Sequence, residues 1–229
     1  MENNDLQCEV VKEEVGIYDL SYKLIVIGDM GVGKSCITMK ATKDYFENYY
    51  APTVGFEFYT FICKIDSQNI RLQIWDTCGQ EEYRSLINNF YRNSSLAIIV
   101  YAIDNEKSFE NVQIWLNEIK TKGNPDVKIF LIGNKIDLEQ KREVTTQMGK
   151  NFCKENSLDL FLETSAKNGT NVIDVFCSAA KILYQDHNKY KDRASRLDSL
   201  IKLTPTESEN SDVIDNESEK RNKKGCCKG

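Results

Sequence analysis

Short apolar runs alternate with longer segments of helical period along most of this chain. Leu24-Ile25-Val26-Ile27, the run from Leu96 to Ile103, and Ile129-Phe130-Leu131-Ile132 have strand length and stop at polar or glycine-containing turns. Strands are expected at 22–28, 55–65, 70–76, 96–103, 127–134 and 158–164, the second and third forming a hairpin across Asp66-Ser67-Gln68-Asn69. Helices are expected at 33–44, 83–89, 106–122, 145–155 and 171–184. The last of these places Val172, Val175, Phe176, Ala179, Ala180 and Leu183 on one face, as a core stripe. The order implies an α/β fold: a doubly wound, mostly parallel six-stranded sheet with one antiparallel hairpin strand and helices on both faces.

The first apolar run delivers the chain into Gly28-Asp29-Met30-Gly31-Val32-Gly33-Lys34-Ser35, and a helical stretch leads out. This fits the phosphate-binding pattern G-x-x-x-x-G-K-[S/T] at every fixed position and in the strand–loop–helix context it requires. Glycines let backbone N–H groups curl around an anion, and the helix N-terminus adds partial positive charge. Asp29, Met30, Gly31, Val32, Gly33, Lys34, Ser35 and Cys36 are the expected phosphate-side set. Lys34 reaches the β- and γ-phosphates, and the Ser35 hydroxyl is a Mg²⁺ ligand. The site is expected to hold a nucleoside triphosphate.

Two later segments specify the base. Asn134-Lys135-Ile136-Asp137 follows the apolar run 129–132, so it sits at the carboxyl end of a strand, where open α/β sheets bind ligands. A carboxylate at Asp137 accepts two hydrogen bonds from guanine, at N1–H and the exocyclic amine, whereas adenine leaves it unpaired. An unsatisfied buried polar group costs about 1–3 kcal/mol, and a charged one more, so guanine is favoured steeply. Glu163-Thr164-Ser165-Ala166-Lys167 follows another apolar segment. Its loop, Ser165 to Lys167, is placed to present the Ala166 N–H to the guanine carbonyl.

With these motifs the chain resembles the Ras-like small GTPases, and further stretches resemble the Rab family, over about 21–184 with a Rab-like tail beyond. Asp76-Thr77-Cys78-Gly79-Gln80-Glu81 is similar to the family's D-T-A-G-Q-E, and Pro52-Thr53 to its first switch. Val54-Gly55-Phe56-Glu57-Phe58, Arg71-Leu72-Gln73-Ile74-Trp75, Phe90-Tyr91-Arg92, Val100-Tyr101-Ala102-Ile103-Asp104 and Ser108-Phe109-Glu110-Asn111-Val112 with Trp115 resemble stretches that set Rab proteins apart.

The resemblance implies GTP or GDP with Mg²⁺ as cofactors, and Ser35, Thr53 and Asp76 as metal-side residues. It places the Thr53 and Gly79 N–H groups on the γ-phosphate. Tyr50 would close over the phosphates, and Gln80 would orient the attacking water. Phe46 has two readings: an aromatic packed edge-on against guanine, or a core residue. Three positions depart from the family. Met30 stands where Ras has Gly and many Rabs have Ser, Cys78 replaces Ala, and Glu82-Tyr83 replaces Arg-Phe. Met30 is expected to crowd Gln80 and slow hydrolysis, with Cys78 deepening the crowding; the alternative has Met30 swinging into solvent.

Net charge is −5 and hydrophobic content 41%, so no basic field points to nucleic acid. The run 96–103 is far short of the ~18–20 residues that span a bilayer. Residues 1–20 form an acidic N-terminal extension without a secretory core, and Glu2 excludes N-myristoylation. Among the eight cysteines, Cys8, Cys36, Cys63, Cys78, Cys153 and Cys177 are scattered without metal-type spacing. A G domain is expected over 21–186 and a largely disordered tail over 187–229.

In that tail, acidic residues precede Lys220, Arg221, Lys223 and Lys224, and the end is Gly225-Cys226-Cys227-Lys228-Gly229. The tandem cysteines resemble the Rab terminus, which carries a geranylgeranyl group on each. Two lipids anchor stably where one holds only marginally. Ile201-Lys202-Leu203 resembles the patch gripped by Rab escort proteins, and reads equally as a helix-end core contact.

Three functional readings follow. The favoured one is a lipid-anchored, monomeric Rab-type switch on the cytoplasmic face of intracellular membranes, cycling through the cytosol. Its partners would be effectors at switches I and II, an exchange factor, a GTPase-activating protein, an escort protein and a dissociation inhibitor. A GTP-binding scaffold with little hydrolysis is opposed by Gln80. A small-molecule phosphotransferase leaves Asn134, Asp137 and the tandem cysteines without a purpose.

Overall fold

A computed structural model describes residues 6–12, 16–47, 53, 55–79 and 90–203, with side chains as far as 194. The chain divides into two compact units, Met1–Asn188 and Lys189–Gly229. The first contains a seven-stranded sheet: β1 (Glu9–Val10), β2 (Leu20–Ile27), β3 (Phe56–Ile65), β4 (Gln68–Thr77), β5 (Leu96–Ala102), β6 (Lys128–Asn134) and β7 (Leu160–Thr164). Between them run α1 (Lys34–Lys43), α2 (Glu106–Glu110), α3 (Val112–Lys122), a 3-10 turn at Ile136–Lys141, and α4 (Thr146–Glu155). A final helix, α5, covers Val172–Leu203. Of the second unit, residues 189–203 are described, and they are helical. No helix among the described residues is long and apolar enough to cross a membrane.

The strand order is β1-β3-β4-β2-β5-β6-β7. Pairing is parallel from β4 through β2, β5 and β6 to β7, and antiparallel where β3 meets β4 and β1. The hairpin turn is tighter than expected. Only Asp66 and Ser67 form it, both with positive φ (48° and 69°), and Gln68 already pairs with Ile65. Two left-handed residues match the twist of the flanking strands, as in type I′ turns.

Alternate residues of β2 serve opposite faces, as a strand's period of two requires. Leu24 and Val26 join Ile37 of α1 and Val175, Phe176 and Ala179 of α5. Ile25 and Ile27 join Val112, Trp115, Leu116 and Ile119 of α3, with Met148 and Phe152 of α4 packed beside them. Every residue of β5 is buried, because it lies between two parallel strands and is covered on both faces. The expected stripe on α5 is buried throughout.

Two elements differ from expectation. The sheet has seven strands rather than six. The extra one, β1, is two exposed residues bonded to the outer edge of β3 through Glu9↔Lys64 and Val10↔Cys63. A pairing made of backbone contacts leaves no hydrophobic period to read. The single helix expected over 106–122 is two, meeting at Asn111, whose side chain is drawn to the loop after β2. The final helix continues through the mixed-charge stretch to Leu203, an extension that the sequence allows. The helix expected at 83–89 lies outside the described residues.

Candidate nucleotide-binding site

The carboxyl ends of β2, β4, β6 and β7 deliver four loops to one rim of the sheet, around a cleft of about 530 Å³. Position begins with the loop between β2 and α1. Gly33 caps α1 with φ 97°, a left-handed conformation open to glycine, and a Cβ there would strike the Asn134 amide. The first intrahelical bond is Ile37 N–H to Gly33 O, 2.9 Å. The preceding amides therefore have no partner within the helix and face an incoming anion.

Lys34 is buried, and its Nζ donates to the carbonyls of Gly28 (2.9 Å) and Asp29 (2.8 Å). Burial pushes its ammonium down to about 8, against the pull of the Asp76 and Asp29 carboxylates. An anion in the loop would favour the charged form again.

Next to Lys34, three oxygen-bearing side chains converge. Ser35 Oγ lies 2.8 Å from Thr53 Oγ1 and donates to Asp76 Oδ2. Asp76 is fully buried, and burial lifts its carboxyl to about 6 although Ser35 and Lys34 favour the charged form. Its second oxygen, Oδ1, is buried without a hydrogen-bond partner. Two hydroxyls and one carboxylate form a hard-oxygen donor set. No group of three His, Cys, Asp or Glu suited to a metal occurs among the described residues. Two hydroxyls beside one carboxylate suit Mg²⁺, which takes one or two carboxylates and completes its shell with water and phosphate.

At the other end, Asn134 ties three loops together. Its Nδ2 donates to Val32 O at 2.9 Å, and its Oδ1 accepts from Thr164 Oγ1 and the Ala166 N–H, both at 3.2 Å. Asp137 Oδ1 accepts from Ser165 Oγ at 2.5 Å, which orients the carboxylate. Lys135, with φ 72°, sits in the left-handed region and its Nζ lies 3.5 Å from Asp104. Lys135, Asp137, Ala166, Lys167 and Phe46 all line the cleft. Phe46 also packs against the core, so the two sequence readings of this ring describe its two sides.

The Ras family model matches residues 23–185 of the chain. The protein belongs to the Ras family. It is therefore a small GTPase, a guanine-nucleotide switch of the kind that binds GTP and GDP with Mg²⁺ and answers to regulators and effectors.

Within this GTPase, not every expected residue faces the cleft. Met30, Gly31, Gly33, Lys34, Ser35, Cys36, Thr53 and Gly79 line it, but Asp29 and Val32 do not. The Asp29 carboxylate turns the other way, accepting from Trp115 Nε1 (2.8 Å) and Asn111 Nδ2 (2.6 Å). It thus anchors the phosphate loop to α3. Val32 is core, and its carbonyl serves Asn134. Cys36 is half-buried, and burial raises its thiol. Gly79 lies against the Asp29–Met30 backbone, where any Cβ would collide.

Cys78 is buried and is not among the residues lining the cleft, while Gln80, which it was expected to crowd, lies outside the described residues. Tyr50, Gln80, Cys226 and Cys227 lie outside the described residues, as does Glu82-Tyr83. Sequence reasoning missed the supporting roles of Thr77, whose hydroxyl donates to Val26 O at 2.8 Å, and of Thr164, Asn111 and Trp115. Thr77 and Thr164 sat inside quoted motifs, so their place beside Asp76 and Ser165 was the available signal.

Met30 stands at the mouth of the cleft with 57% of its surface exposed. A long side chain at this rim shares space with whatever approaches the γ-phosphate end. Met30→Ser is expected to speed single-turnover GTP hydrolysis, by up to ~10²-fold if the methionine displaces a catalytic group by ~1 Å. Equal rates at matched Mg²⁺ and nucleotide loading would make Met30 surface variation only.

Proposed function

We propose that this GTPase is a Rab-type regulator of vesicle traffic, anchored by two prenyl groups to the cytoplasmic face of intracellular membranes and cycling through the cytosol. The observation that carries this reading is the tandem Cys226-Cys227 near the end of a polar tail, preceded by Lys220, Arg221, Lys223 and Lys224. Two lipids give stable anchoring, and each basic residue adds about 1 kcal/mol at an anionic leaflet. The Rab-like stretches around Phe56, Trp75, Phe90 and Trp115 support it.

In this reading the protein's own residues do mostly positioning work. The loop amides and Lys34 hold the phosphates, Ser35, Thr53 and Asp76 hold Mg²⁺, and Asp137 with the Ala166 N–H reads the base. Bound Mg²⁺ supplies neutralisation of phosphate charge. Gln80 orients water, so unaided turnover is slow and a partner's arginine accelerates it by ~10³–10⁵-fold. Thr53 and Gly79 contact the γ-phosphate, and losing those contacts on hydrolysis releases the flanking switch segments from effectors. An escort protein and a dissociation inhibitor handle the lipidated chain, an exchange factor and a GTPase-activating protein set its state, and it works as a monomer.

The test is membrane fractionation of Cys226→Ser/Cys227→Ser. The double variant is expected in the soluble fraction with GTP binding intact. If it still pellets with membranes, the tail is not the anchor and the Rab reading loses its main support.

A further inference from the structure

Three cysteines far apart in sequence meet beneath the outer edge of the sheet. Cys8 immediately precedes β1, Cys63 lies on β3, and Cys177 lies on α5. All three are free thiols. The Cys8 S–H donates to Cys177 Sγ at 2.7 Å, across 169 residues of sequence. Cys63 is fully buried against the same group, while Cys8 and Cys177 are half-buried. Two sulfurs held this near need little movement to reach the ~2.05 Å of a disulfide.

The arm that carries Cys8 is lightly held. Its backbone makes the Glu9↔Lys64 and Val10↔Cys63 pairings and one further bond, Val11 N–H to Ile62 O at 2.9 Å. A two-residue edge strand opens readily, and each opening exposes the Cys8 thiol to a small oxidant. Cys177, on a long helix packed into the core, stays where it is.

We propose that Cys8 and Cys177 form a reversible disulfide that locks the N-terminal arm onto β3 and α5 under oxidising conditions. The oxidant is a small-molecule disulfide such as glutathione disulfide. The Cys8 thiolate attacks one of its sulfurs, forming a protein–glutathione mixed disulfide and expelling one glutathione thiolate. The Cys177 thiolate then attacks the Cys8 sulfur, forming the Cys8–Cys177 bond and expelling the second glutathione. Two protons leave the protein thiols and end on the two glutathione thiols. Two electrons pass from the protein to the oxidant.

Nearby charge and burial set the pace. The hydrogen bond shared with Cys8, then burial, raises the Cys177 thiol, with Lys181 opposing. The bond to Cys177 lowers Cys8, but Cys63 and burial outweigh it and push Cys8 up to about 12. Raised in this way, both thiols attack the oxidant slowly. Cysteine pairs that oxidise in reducing compartments act as labile, regulatory bonds.

The experiment treats the full-length protein with glutathione disulfide, then blocks, digests and maps it by mass spectrometry without reduction. A Cys8–Cys177 cross-linked peptide is expected, removed by dithiothreitol. With it should come a faster-migrating non-reduced band, lost in Cys8→Ser and in Cys177→Ser and kept in Cys63→Ser. Hydrogen exchange of residues 6–12 should slow on oxidation in the wild type and remain unchanged in Cys177→Ser. A Cys8–Cys63 cross-link, glutathione adducts alone, or no cross-link at all would overturn the proposal.

Discussion

An Asp137→Asn variant is expected to lose GTP affinity by about 10²-fold and to gain affinity for xanthosine triphosphate. With guanine in the cleft, the carboxylate would accept from N1–H and the exocyclic amine, and an amide can replace only part of that. Xanthine has a carbonyl where guanine has the amine, and the new Asn N–H₂ can donate to it. Leaving one buried polar group unpaired costs about 1–3 kcal/mol, and about 3 kcal/mol corresponds to that change in affinity. The fold should survive, because the Ser165 hydroxyl that now donates to Asp137 Oδ1 can donate equally to an amide oxygen. Competition of GTP and xanthosine triphosphate against a fluorescent nucleotide measures both arms. Unchanged GTP selectivity would mean that another group reads the base.

Asn134→Ala should be nearly as damaging for a different reason. The side chain lines the cleft, bonds Val32 O, the Thr164 hydroxyl and the Ala166 N–H at once, and is almost fully buried. Truncation leaves those groups unpaired in the interior and frees three loops from one another. A stability loss of roughly 3 kcal/mol is expected, or about 6–12 °C in melting temperature for a chain of this size. Nucleotide affinity should fall by at least ~10²-fold as the loops lose their alignment. Melting curves and nucleotide dissociation rates, measured beside Thr164→Val, separate the effects. That variant removes one of the three bonds and should show about a third of the stability loss. An Asn134→Ala protein as stable and as tight-binding as wild type would show that the loops hold their places without it.

Much of the site was legible because its chemistry is local. Gly28 to Ser35 carries its own turn glycines, lysine and hydroxyl within eight positions, so strand, loop and helix are implied together. Asp137 and Ala166 were likewise readable from short segments that follow apolar strands. Asp29 shows where such reading stops. It sits inside the phosphate loop, yet its carboxylate turns to Trp115 and Asn111, more than eighty residues on, and no spacing rule links them. The same limit hid Cys78, whose neighbours in the motif face the cleft while its own side chain is buried.

What the chain determines by itself is the order of strands and helices, the phosphate loop and the two short segments that bring Asp137 and Ala166 to the cleft, since each rests on apolar period or on residues adjacent in sequence. The tertiary structure alone decided that β1 adds a seventh strand to the edge of β3, that one expected helix divides at Asn111, and that Cys8, Cys63 and Cys177 meet. Those outcomes depend on which surfaces approach once the sheet has formed. Backbone pairing at an edge, a side chain drawn across to another loop, and thiols brought together over 169 residues leave no periodic mark in the sequence.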